Sequence, residues 1–250
     1  EGEAVEASNY SAIPTITPSV VSPTNGSLGD LNYQPEFKHG VSNASLITYE
    51  SGSFNIQLTD TFDCTGFAKC PEIGHSEVTG QFLVQSRPWT FAICPNGENA
   101  ALPSGTSSDG AGFVAASELF SLFTKPIVWQ SGGSLSAPIN TTAYCGDSIR
   151  VTSNFMNYGS PSASIKLSSE QHTPTQNAAN QTVLLEGLMG LSKLNHQNTG
   201  LGYVFDQLYW NEVGSLTIKV DVANSDINQG YRHVGRCLLY TSPSPRDLDL

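Results

Sequence analysis

Charge is scarce in this chain. Asp, Glu, Lys and Arg make up 13% of its 250 residues, about half the share of a typical soluble protein. Positive charge is scarcest: 11 Lys plus Arg face 22 Asp plus Glu, for a formal net charge of -11. There is no basic run, so the footprint needed to neutralise a phosphate backbone is missing and nucleic acid is excluded as a partner. The same acidity opposes attraction to anionic membrane surfaces. No apolar run approaches the length of about 18 residues that spans a bilayer, so membrane insertion is not expected. Residue 1 is Glu, with no apolar signal core after it. The chain is therefore read as a mature form or an internal piece of something longer.

Catalytic signatures are missing too. There is no Gly-x-Ser-x-Gly elbow, and His39, His75, His172, His196 and His233 never form His-x-His or His-x3-His, so metal-ligand spacing does not occur locally. No catalytic residue and no firm metal ligand is nominated, and the chain is read as a non-enzyme.

What is present is Ser, Thr, Asn, Gln and Gly, with β-branched and aromatic residues in plenty. Such surfaces are common outside the cell, and disorder is not expected of this composition. Short alternating segments dominate. Phe54, Ile56 and Leu58 alternate with Asn55 and Gln57; Phe82 with Val84, the set Trp89, Phe91 and Ile93, and Leu216, Ile218, Val220 and Val222 repeat the pattern. Ile149, Val151 and Phe155, then Ala163, Ile165 and Leu167, read as a hairpin across Tyr158-Gly159-Ser160-Pro161. Two segments read as helical: Gly112 to Phe123, stopped by Pro126, and Asn177 to Asn195, weakened by Gly187 and Gly190. The expected fold is mainly β, an antiparallel β-sandwich or jelly-roll-like domain with two short helical insertions.

Residues 1–40 hold Pro14, Pro18, Pro23 and Pro35 among Ser, Thr and Gly, and read as an extended arm or linker. Ile13, Ile16, Val20 and Val21 would let such an arm pair with a sheet edge, or donate a strand to a neighbouring subunit in a homo-oligomer or surface assembly. The globular domain is expected over 41–236. From Cys237 to Asp247, the run Cys-Leu-Leu-Tyr-Thr-Ser-Pro-Ser-Pro-Arg-Asp resembles the conceptual translation of a transposase-type sequencing adapter. On that resemblance, 237–250 is a non-native tail.

Cys64, Cys70, Cys94 and Cys145 then remain, an even number suited to an oxidising compartment, secreted or on the cell surface. The favoured pairing is Cys64–Cys70, around Thr65-Gly66-Phe67, and Cys94–Cys145, which ties distant segments. Zinc fits poorly, because one Cys-x5-Cys followed by isolated cysteines lacks close-spaced pairs. Sequons at Asn9, Asn25, Asn43, Asn140 and Asn180 permit glycosylation.

Three patterns carry candidate chemistry. Asp221, Asn224, Asp226 and Asn228, ending at Gly230, supply oxygens on a turning loop, the donor type calcium takes; the spacing is not that of an EF-hand. Calcium is the one cofactor the sequence offers, and a solvated turn explains the same residues. Trp129, Tyr209 and Trp210 are candidates for stacking on sugar rings. Tyr209 and Trp210 are adjacent and in a strand point to opposite faces, so one of them is expected to be exposed. Glu72, His75 and Glu77 lie close together beside a predicted strand, as exposed polar loops often arrange. Gly146-Asp147-Ser148-Ile149 resembles the nucleophile block of GDSL-type esterases. In that family an apolar strand precedes the serine, whereas here Tyr144 and Cys145 precede it, and no Asp lies three residues before any His. It reads as a turn entering a strand.

A structural or adhesive β-domain of a surface, appendage or capsid-like assembly is the expected function. A carbohydrate-binding β-sandwich supported by calcium is the first alternative. A secreted polysaccharide hydrolase is the second, with Glu77, Glu98, Glu118, Asp147 and Asp206 as conceivable carboxylates.

Overall fold

In the computed structural model the chain is mainly β and its sheets are antiparallel. The described residues are 8–66, 68, 71–95, 113–131, 133, 144–145, 148–157, 165–174, 179, 181–187, 197–198, 202–222 and 235–241. The chain forms two compact units, Glu1–Arg87 and Pro88–Leu250. The boundary between them falls within the 41–236 span expected to be globular.

The first unit contains β1 (Thr15–Ser22), β2 (Leu31–Tyr33), β3 (Leu46–Thr48), β4 (Gly52–Asp63) and β5 (His75–Ser86). Its main sheet has the order β1-β4-β5, and β2 pairs with β3. The proline-rich stretch expected as an arm is built into this sheet. Ile16, Pro18 and Val20 of β1 lie opposite Leu58, Ile56 and Phe54 of β4, and Phe54 and Ile56 are fully buried. Proline does not prevent this pairing, because an edge strand can turn the position lacking an N–H outward. The segment before β1 is also fixed: Ala12 and Phe37 exchange backbone hydrogen bonds, and Tyr10 Oη donates to Asp60 Oδ2 at 2.9 Å. Burial, and then the Asp60 carboxylate, push the Tyr10 phenol up to about 12.

The second unit contains β6 (Thr90–Pro95), β7 (Phe120–Ile127), a 3-10 turn at Ser153–Asn157, β8 (Ile165–Thr173), β9 (Gln197–Asn198), β10 (Tyr203–Leu208), β11 (Gly214–Val222) and β12 (Gly235–Thr241). They form two sheets of order β6-β7-β10-β9 and β12-β11-β8. Phe91, Ile93, Leu122 and Phe205 of the first sheet share one core with Ile165, Leu167, Leu216, Ile218 and Val220 of the second. The opposite face of the first sheet is covered as well: Ala92, Cys94, Phe123 and Ile127 cluster with Cys145, and Trp89, Tyr144, Ile149 and Val204 pack around them.

That double burial explains the main misreading. Gly112–Phe123 was expected to be helical, but Phe120 onward is β7, and the residues from Phe113 to Leu119 form bends and turns. A strand buried on both faces needs no polar alternation, and its short apolar run then mimics a helix. Pro126 costs β7 little, since β10 pairs with it only at Phe120 and Leu122–Thr124. The second expected helix, 177–195, is not helical at 181–187, where the chain is irregular and Glu186 bridges to Tyr209; its other residues but 179 lie outside the described residues. The turn of the expected hairpin, 158–161, lies outside the described residues, and its flanks pair elsewhere. Val151 bridges to Ile127, while β8 pairs with β11. The β12 ladder runs from Gly235 to Thr241 against β11, crossing residue 236 by backbone pairing. Among the described residues no helix is long and apolar enough to cross a membrane.

Candidate functional site

Backbone irregularities and polar side chains gather at one place in the second unit, where the 181–187 segment meets the end of β10. Gln207 takes φ 57° at the register shift of β10 between Phe205 and Leu208. Gly187, at φ 114°, packs so tightly there that a Cβ would strike Gln207 O. Ser117, with φ 67°, donates its N–H to Trp210 O at 2.8 Å. Non-glycine residues in this conformation are held by their surroundings, and such positions concentrate at functional sites.

Glu186 is the hub. Its backbone exchanges two hydrogen bonds with Tyr209, at 2.9 and 3.1 Å. Its Oε2 accepts from Tyr209 Oη at 2.8 Å, and its Oε1 accepts from Asn211 Nδ2 at 3.3 Å. Asn211 Oδ1 in turn accepts from Ser117 Oγ at 2.9 Å. The hydrogen bond to Glu186, and then its negative charge, hold the Tyr209 phenol above its ordinary titration range. Tyr209 is thus a donor and not a base. Trp210 lies beneath at 1% exposure, its Nε1 donating to Val183 O at 2.9 Å. With both carboxylate oxygens engaged and the phenol protonated, this cluster is a latch between two segments.

Sequence reading missed this hub. Glu186 follows Val183, Leu184 and Leu185, a pattern that reads as a helix; Gly187 was the one local sign of a special backbone position.

Cys94 and Cys145 form a disulfide with Cα atoms 5.5 Å apart, across a sequence separation of 51. Lys125 Nζ, buried, donates to Cys145 O at 3.0 Å and so ties β7 to the disulfide segment. Cys64 is disulfide-bonded as well; Cys70 lies outside the described residues. Trp129 is 54% exposed, whereas buried Trp210 has no face left for a sugar. That corrects its nomination: its ring closes the core beside Val183. Tyr209 is half-buried, with its hydroxyl committed to Glu186.

Asp221 sits in β11 opposite Lys166, while Asn224, Asp226 and Asn228 lie outside the described residues. Among the described residues no group of three or more His, Cys, Asp or Glu side chains could hold a metal ion. Asn9, Asn25 and Asn43 are exposed; Asn140 and Asn180 are not among the described residues. Glu118 caps a turn, its Oε2 accepting from Ala115 N at 2.9 Å. Gly146 and Asp147 are not described, and Ser148 is an exposed turn residue.

Residues 87–202 match a protein family described as DUF6701, second domain. The match begins at the boundary between the two units and ends before β10. It includes Cys94, Cys145, Ser117 and Glu186, but not Tyr209 or Asn211. No curated protein matches the chain.

Proposed function

We propose that this chain is a non-enzymatic, extracellular structural or adhesive module, built of consecutive β units of which the second is a β-sandwich. The observation that carries the reading is the buried Cys94–Cys145 disulfide, which pins a loop onto the outer face of one sheet and belongs in an oxidising compartment. Low charge, exposed sequons and a hub whose groups are spent on one another support it. The matched family is described as a second domain, which supports a modular chain.

The test is export. Directed to an oxidising compartment, the chain should recover as folded protein with Cys94 and Cys145 linked; retained in a reducing cytosol, it should be markedly less stable. Equal stability with both thiols free would refute the extracellular assignment. Turnover of polysaccharide by the purified chain would refute the non-enzymatic one.

A second reading, glycan binding, is favoured by one observation, the 54% exposure of Trp129. It predicts signals on a glycan array that Trp129→Ala abolishes.

A further inference from the structure

The first unit has two sheet edges, and they are built differently. β1 carries Pro18 and a register shift between Val20 and Ser22, both devices that blunt an edge against further pairing. β5 has neither. It is 12 residues long, contains no Pro, Lys or Arg, and pairs with β4 in unbroken register from His75 to Ser86. Among the described residues no strand lies on its other side. Glu77 to Leu83 are seven consecutive exposed residues, including Val78 at 47%, Phe82 at 37% and Leu83 at 56%. An open edge this long and this apolar is a template for strand addition.

Gly80 is the middle residue of that exposed run. Glycine inside a strand is destabilising and needs a reason, commonly the close approach of another backbone. This unit supplies no such reason. The ladder opposite Leu58 is regular, Gly80 is not at positive φ, and a Cβ there would meet nothing within 4 Å. Gly80 thus leaves the middle of the exposed run without a side chain, in open space.

We propose that β5 pairs antiparallel with β5 of a second copy, about a two-fold axis through Gly80. The sequence of the edge is self-complementary in that register. Val78 falls opposite Phe82 of the other copy, Thr79 opposite Gln81, and Glu77 opposite Leu83. On one face the Val78–Phe82 pairs extend the apolar surface already formed by Ile56 and by Tyr33, whose ring packs edge-on against Phe82 at 5.7 Å. On the other, the one acidic side chain of the run meets an apolar residue, so no like charges oppose. A two-fold pairing of this kind closes on itself and uses up the open edge in both copies. It deepens the assembly reading above and rests on it for its purpose. It also moves the self-pairing surface away from residues 1–40, whose strand β1 is already engaged by β4.

The test is the oligomeric state of the full chain up to millimolar concentration, by light scattering and sedimentation, in a Cys237→Ser background. A concentration-dependent dimer is expected. Val78→Lys should weaken it more than about tenfold, the effect of a misplaced interaction of modest energy, with far-UV circular dichroism unchanged. Gly80→Cys should form an intermolecular disulfide on oxidation, because directly opposed Cα atoms lie within about 4.5–5.5 Å, inside disulfide reach. Glu77→Cys should not, since its copies would sit six residues apart along the strand, about 20 Å. A monomer at every concentration would overturn the pairing, as would a dimer indifferent to Val78→Lys or crosslinked as readily through Glu77→Cys. If Val78→Lys fails to fold, the two cysteine variants decide. A monomer defeats the pairing alone; the export experiment addresses the structural reading independently.

Discussion

Breaking the Cys94–Cys145 disulfide is the most informative perturbation of the second unit. Its sulfurs join positions 51 residues apart, so the chain-entropy model assigns the link about 4 kcal/mol, gained by restricting the unfolded chain. For a unit of this size, each kcal/mol moves the melting temperature by roughly 2–4 °C, so loss of the link should lower it by roughly 8–16 °C. The assay is thermal and urea unfolding of Cys94→Ala, Cys145→Ala and the double variant, in a Cys237→Ser background. Either single substitution removes the covalent link entirely, so each should cost nearly as much as the double. The second truncation adds only its own packing loss, about 0.5–1.5 kcal/mol for a change of this size. Both cysteines are buried, at 0% and 2% exposure, so reductant added to the native protein should act only as fast as the unit opens. A double variant costing twice either single, or less than about 1 kcal/mol in all, would refute the argument, because a loop constraint cannot be lost in halves.

Trp210→Ala should destabilise the second unit by about 3–5 kcal/mol, as loss of a fully buried aromatic does, read by chemical denaturation. Gly187→Ala should cost about 1–3 kcal/mol through strain at positive φ, in the same assay, since its Cβ would meet Gln207 O. Tyr209 is held protonated in the fold, so its contribution to stability is complete below the ordinary phenol range. That contribution is lost as pH rises through the folded value. Ultraviolet titration should show Glu186→Gln moving Tyr209 downward, and an unmoved Tyr209 would remove the carboxylate from its environment. Expression in a eukaryotic secretory host should add glycosidase-sensitive mass at the exposed sequons Asn9, Asn25 and Asn43, and Asn→Gln variants should remove it.

What could be read from the residues follows from which surfaces they cover. β4 and β11 were legible because each carries an alternating face: Phe54 and Ile56 in one, and Leu216, Ile218 and Val220 in the other, are buried while their neighbours differ in character. β7 was not, because Leu122 faces one core and Phe123 the other, which erases the period-2 signal. β1 was hidden by its prolines, which mark loops in general but are admissible on an edge. The Cys94–Cys145 link was readable as one of three pairings of four cysteines. The Glu186 hub was not readable, since its members lie at 117, 186, 209 and 211 and meet only through β10 irregularities. Of the aromatics offered for stacking, Trp210 is buried and Tyr209 half-buried, a difference that adjacency in the sequence does not assign to either one.

The two edges of the first unit show how such missing information is carried. Pro18 and Gly80 are both residues that weaken a strand, and propensity alone would mark both β1 and β5 as poor ones. Their effects diverge only once the partners are known. Pro18 lies on β1 opposite Ile56, where the loss of a donor guards the outer edge. Gly80 lies in a regular ladder with empty space beside it, where the loss of a side chain guards nothing. A residue that closes an edge and a residue that leaves one open therefore look alike in the sequence. The difference between a terminated sheet and one prepared to continue lies in what surrounds each residue.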